Sequence, residues 1–192
     1  LNATALGEPV YRRLGFASIG YGQTWWLQRA ALEASPPSAQ AIALVEAVGH
    51  GDLAKLDQMA ATVTPTLLDA PLLNGMTLLE VAALLKQPAA AEWLVAHGAM
   101  LDVLTARTLG WGDRIPALLA ANPALANWRS GPNGATPLHS AAWENDRELI
   151  AQLLAAGADT TLQDRSFHAT AAGWARHNGH VEAAKLIEQA HP

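Results

Sequence analysis

The sequence predicts an all-α fold: a solenoid of about five stacked helix-turn-helix repeats, preceded by a short helix-strand segment. Three observations carry that prediction. Similar segments return at a period near 34 residues, the mark of a chain built from one repeated supersecondary unit. In the clearest segment, Leu149, Ile150, Leu153 and Leu154 recur at one-, three- and four-residue steps, an apolar stripe at helical period. Of the 192 residues 51% are apolar, with Ala and Leu dominant, seven Trp scattered singly and two each of Phe and Tyr. That balance suits closely packed short helices better than a β-sandwich.

Aligned on Thr136, the repeats begin at Ile42, Thr77, Val103, Thr136 and Thr170, at intervals of 35, 26, 33 and 34 residues. The first, IALVEAVGHGD, and the third, VLTARTLGWGD, keep the pattern least closely. The short interval between the second and third predicts that the finger-like turn between repeats is missing between Ala99 and Val103. In the fourth, Pro137 sits in a first helical turn, where its missing N–H costs nothing, and Thr136 is placed to cap free amides. Leu138, Ala141 and Ala142 give that helix a small-residue inner face. A second helix over Arg147 to Ala156 lies on it, and Gly157 stops that helix. One such pair cannot bury its own apolar faces, so the array needs stacked neighbours and a polar outer side at its end. Glu188 stands where the fourth repeat has Leu154, with Lys185 and Gln189 beside it, which makes residues 165–190 the C-terminal cap.

Gly134-Ala135-Thr136-Pro137-Leu138-His139, followed by Ala141-Ala142, Leu153-Leu154 and Gly157-Ala158-Asp159, resembles the ankyrin repeat. Gly98-Ala99 and Gly179-His180 match other parts of the same pattern, so the resemblance runs over roughly Ala39 to Ala190. It implies a protein-binding array, 39–192, that captures a protein partner through its concave face and finger tips. Carried over position by position, the binding residues are His50, Leu84, Leu85, Trp111, Trp143, Glu144, His177 and Asn178 from the helix ends. The fingers add Asn74, Met76, Arg129, Asn133, Ser166 and Phe167. Among these, Trp111, Trp143 and Arg129 have the chemistry that dominates interface energetics. The plain alternative is that the tryptophans pack against neighbouring repeats or against the N-terminal segment.

Residues 1–33 do not fit the period. Gly7, Tyr11, Gly15 and Phe16, with Thr4, Arg12, Arg13 and Leu14 in register, resemble the C-terminal end of a GNAT-type N-acetyltransferase. The resemblance implies a helix over about Ala5 to Leu14, a strand over about Ala17 to Trp26, and for Tyr11 the role of general acid toward the departing thiolate of coenzyme A. Such a strand has no sheet partner in its own chain and is an edge able to pair with a second copy. ASPPS, Ala34 to Ser38, reads as the linker. The family's phosphate-cradling loop, Q/R-x-x-G-x-G/A, is absent; RSGPNGA, Arg129 to Ala135, has the wrong spacing and lies in a finger. The chain as given is therefore read as non-catalytic and without a cofactor. The alternative is the C-terminal portion of an acetyl-coenzyme A-dependent acetyltransferase fused to the array, an idea prompted also by a start at Leu1 without Met and without a secretory leader.

Other chemistry is disfavoured. Twelve basic against seventeen acidic residues give a net charge of −5 without a basic cluster, which speaks against nucleic acid. The apolar runs near Ile115 to Ala126 are broken by Pro and Asn well short of a membrane span. With no cysteine, disulfides and thiolate metal sites are excluded and the compartment cannot be read from redox chemistry; the expected location, cytoplasmic, is compatible with that. His168, His177 and His180 lack a carboxylate or thiol at ligand spacing, and His180 is placed to bond backbone. His139 is expected to bridge adjacent turns. Ser140, His139 and Asp146 lack the geometry and oxyanion loop of a hydrolytic triad. Gly20 to Gly22, GYG, is too short for a nucleotide loop and suits a bulge.

Overall fold

Residues 38–72, 75–129 and 133–190 are described in a computed structural model of the chain. The helix and strand expected for the N-terminal segment, Tyr11, the linker before Ser38 and Asn74 lie outside them. The described residues form eleven α-helices: α1 (Ala39–His50), α2 (Leu53–Met59), α3 (Pro65–Leu68), α4 (Leu78–Leu84), α5 (Pro88–Ala96), α6 (Val103–Thr108), α7 (Ile115–Ala121), α8 (Pro137–Glu144), α9 (Arg147–Ala155), α10 (Ala171–His177) and α11 (Val181–Gln189). No strand occurs among the described residues; an isolated antiparallel bridge pairs Gln163 with Thr170 at the base of a finger. Two compact units divide at Leu101 and Asp102.

Small residues let the helices of each pair approach closely. Ala47, Ala82, Ala83, Ala90 and Ala91 are buried in the N-terminal unit, and Ala106, Ala141, Ala142, Ala171, Ala172, Ala175, Ala183 and Ala184 in the C-terminal unit. Leucine and isoleucine fill the space between helices. Leu44, Leu56, Leu79 and Leu94 are fully buried in the first unit, and Ile115, Leu138, Ile150, Leu153 and Ile187 in the second. Each such side chain contributes about 1.5–3 kcal/mol through removal from water.

Every helix pair turns in the same way. A residue in the left-handed region ends the first helix, at Gly51, Lys86, Gly110, Asn145 and Gly179. The next amide donates back to the carbonyl of an inner-face alanine: Asp52 to Ala47, Gln87 to Ala82, Trp111 to Ala106, Asp146 to Ala141 and His180 to Ala175. These turns fix the true register. Asp102 caps α6 by accepting from Leu104 and Thr105 at 2.8 and 2.9 Å, so Val103 is not the counterpart of Thr136. In the frame of the shared turn the counterpart of Thr136 is Leu101, two residues before Val103, and no Thr-Pro pair marks that start.

The first and third repeats carry an additional helical turn that the periodicity does not announce. Thr64 and Pro65 open α3, and Asn122 and Pro123 open a 3-10 turn over Pro123–Asn127; each buries one leucine, Leu68 and Leu125. The residue closing each turn then holds a later amide, Asp69 accepting from Met100 and Asn127 accepting from Asp159, both at 2.8 Å. The two units thus begin alike. They end differently: His97 to Asp102 alone separate α5 from α6, while a full finger separates α9 from α10.

Candidate functional site

The C-terminal unit gathers the best-formed candidate surface at the end of α8 and along the finger that follows α9. Its foundation is the first turn of α8. Nδ1 of the buried His139 accepts from the Thr136 amide at 3.2 Å and the Thr136 hydroxyl at 2.8 Å, and its Nε2 donates to the Ala169 carbonyl at 3.1 Å. That pattern requires a neutral ring. Burial lowers the His139 pKa more than the Ala169 hydrogen bond and the Asp164 charge raise it, and the Arg129 charge adds to the lowering.

Asp164 organises the finger. One carboxylate oxygen accepts from the amides of Ser166 and Phe167 at 2.8 and 2.7 Å, and the other from the Ala169 amide and the Trp174 indole N–H, both at 3.1 Å. Burial disfavours its charge, but the bonds from Phe167, Trp174, Ala169 and Ser166 together outweigh burial and hold its pKa at about 2. The carboxylate is ionised under all ordinary conditions. Its bond to Trp174 joins the finger to α10.

Trp174 in turn positions Trp143. The two rings meet nearly edge to face at 5.6 Å, His139 also meets Trp174 nearly edge to face at 5.3 Å, and His177 lies nearly parallel to Trp143 at 6.2 Å. The Trp143 carbonyl accepts from Asn178 Nδ2 and His180 Nε2, each at 3.1 Å. With its backbone held and two rings against it, Trp143 remains 47% exposed. Glu144 beside it is exposed, and Phe167 at the finger tip is 75% exposed.

Other candidates stand in less open places. Arg129 donates to the carbonyls of Gly134 and Gln163 at 2.8 and 2.9 Å, and the Asn133 carbonyl accepts from the Arg165 amide at 2.7 Å. Both residues link neighbouring fingers. Gly134 has φ +62°, and a Cβ there would press on the Arg165 side chain at 3.0 Å. Ser166 is exposed and directs its amide to Asp164. Trp111 is 9% exposed and carries the Arg114 guanidinium 4.1 Å above its ring; it occupies the turn position of Asp146, not the open position of Trp143. The counterparts of Trp143 and Glu144 in that repeat are Thr108 and Leu109. Thr108 joins Arg107, Glu144, Asn145, Asp146 and Arg147 around a shallow cleft.

In the N-terminal unit, His50 is exposed and donates to the Glu46 carbonyl at 2.8 Å. Leu84 is 54% exposed, Leu85 packs over Gly49, and the Met76 carbonyl accepts from the Leu72 amide at 2.8 Å. Trp93 donates to Asp57 at 2.7 Å and stacks on His97 at 3.7 Å. Among the described residues no group of three His, Asp or Glu side chains is arranged to hold a metal, and no helix is long and apolar enough to cross a membrane.

Asp164, Trp174, Thr108 and the exposed Trp128 were not singled out by the sequence. Trp174 carried a usable signal: it occupies the slot of Ser140 on an otherwise small-residue helix face.

No curated protein matches the chain, and the acetyltransferase-like segment finds no support in the comparisons. The model of the family described as "Ankyrin repeat" matches residues 133–165, the stretch from the Asn133 finger through α8 and α9 to Arg165. That stretch is similar to an ankyrin repeat; it holds Trp143, His139 and Asp164, while Ala169, Trp174, His177, Asn178 and His180, which complete the frame around Trp143, lie beyond it.

Proposed function

We propose that the chain is a non-catalytic protein-binding module. The partner lies along the concave face, over Thr108, Trp143, Glu144, His177 and Asn178, and reaches the finger tip at Ser166 and Phe167. In the N-terminal unit, taken by itself, His50, Leu84, Leu85 and Met76 occupy the corresponding positions, and Asn74 belongs with them by its place in the sequence. Arg129 and Asn133 hold fingers in place beneath the partner.

One observation carries the reading. Trp143 is fixed by two rings and two hydrogen bonds to its carbonyl, yet half of its side chain faces solvent. An ordered, open tryptophan next to an ordered finger has the character of an interface anchor: large, apolar and already immobilised before binding. The test is a selection of peptides displayed against the full chain, with Trp143→Ala used for counter-selection. The reading expects clones that bind the parent and lose at least tenfold in affinity, about 1.4 kcal/mol or more, on Trp143→Ala. Clones that all bind both proteins equally would remove it.

A further inference from the structure

We infer that the bound partner presents a basic side chain, arginine or lysine, to the ledge of Trp143, Trp174 and His177, with its charge beside the Glu144 carboxylate. The inference rests on the binding reading above and adds the chemical class of the group that is bound.

Trp143 is 47% exposed with His177 nearly parallel to it at 6.2 Å, and an indole attracts a cation through the negative charge of its π-cloud more strongly than the other aromatic rings do. Among the described residues no cation lies over Trp143, whereas in the same unit Arg114 lies 4.1 Å over Trp111. An apolar ledge alone would take an aliphatic side chain as readily. Two carboxylates tip the balance. Asp164 accepts the Trp174 indole N–H at 3.1 Å, which places a fixed negative charge beside that indole and moves electron density into its ring. Glu144, the next residue along α8, is exposed, and no ion pair among the described residues holds it. Three nearby cations are engaged elsewhere, Arg107 by Asp146 and Glu148, Arg176 by Glu188, and Arg129 by two carbonyls. The overall charge of −5 works in the same direction by steering basic segments toward the chain.

The experiment follows the indole N–H signals of Trp143 and Trp174 in the 15N-labelled full chain, assigned from Trp143→Phe and Trp174→Phe. Capped Gly-Arg-Gly, Gly-Leu-Gly and Gly-Glu-Gly are titrated separately. The arginine peptide is expected to move both signals saturably, and the other two to leave them in place. Glu144→Gln is expected to weaken the arginine response about threefold or more, as is added salt. An equal response to the leucine peptide overturns the basic-group inference while the display selection can still succeed, so the two claims fail separately. Silence toward all three peptides, or an unaltered response in Glu144→Gln, overturns it as well.

Discussion

Helices α4 and α8 occupy the same place in the repeat and end in the same turn, yet they are closed differently. In α4 the cap is local: the Thr77 amide donates to Glu80 at 2.7 Å, and the Glu80 amide donates to the Thr77 hydroxyl at 3.2 Å. In α8 the third residue is His139, which closes the turn with one ring nitrogen and reaches Ala169 with the other. The acceptor exists because a finger follows α9, and no finger follows α5. A glutamate needs only its own turn, whereas a histidine at that position uses the next finger. The same finger delivers Asp164, and through it Trp174, to the side of Trp143. Leu84, the counterpart of Trp143, stands on a unit that ends without one.

The largest expected consequence is in the caps. His139→Ala leaves the buried Thr136 amide and the Ala169 carbonyl without their ring partner and is expected to cost about 2–3 kcal/mol, read as a lower urea midpoint. Glu80→Ala is expected to cost about 1 kcal/mol or less, the ordinary worth of a cap. Equal losses would break the contrast between local and finger-dependent closure.

Acid tests it by another route. Because burial depresses the His139 pKa, the folded state binds that proton less tightly than the unfolded chain. Its contribution to stability is complete above about pH 6.5 and is lost as pH falls through that value toward the lower folded pKa. The thermal midpoint is expected to fall between pH 7.5 and 5, and to fall less in His139→Gln. Asp164 acts in a separate window, its contribution being present above 3.8 and lost as pH falls toward about 2.

The turns give a smaller effect of opposite sign. Lys86 and Asn145 both stand at positive φ, 55° and 56°. Asparagine tolerates that conformation and lysine does so less well, so Lys86→Gly is expected to raise stability by about 0.5–1 kcal/mol and Asn145→Gly to change it by a few tenths. A loss at Lys86→Gly would mean that its side chain holds something the turn geometry does not reveal.

Much of the helical frame was legible in the sequence, because helix starts, left-handed stops and apolar stripes are local. Thr136, Gly157 and Leu149 to Leu154 announce their own roles. The missing finger after Ala99 also followed from the spacing. The third repeat starts two residues earlier than its spacing suggests, since Asp102 caps α6 without a Thr-Pro mark, and this register puts Trp111 in the turn rather than at the open helix end. The site was less legible, because its decisive links are long-range. Nothing local says that Asp164 receives the Trp174 indole ten residues on, or that Arg129 is engaged by Gln163 rather than free. The positions of Trp143, Glu144, His177 and Phe167 follow from the repeat; their mutual support comes from the finger.

The most direct measurement is paired: affinity for a display-selected peptide and urea stability, on the parent chain and on Trp143→Ala. If Trp143 is an anchor held ready by Trp174 and His177, affinity falls at least tenfold while stability changes by less than about 1.5 kcal/mol, the worth of its ring contacts. Unchanged affinity with a larger loss of stability would make Trp143 a packing residue and contradict the binding role.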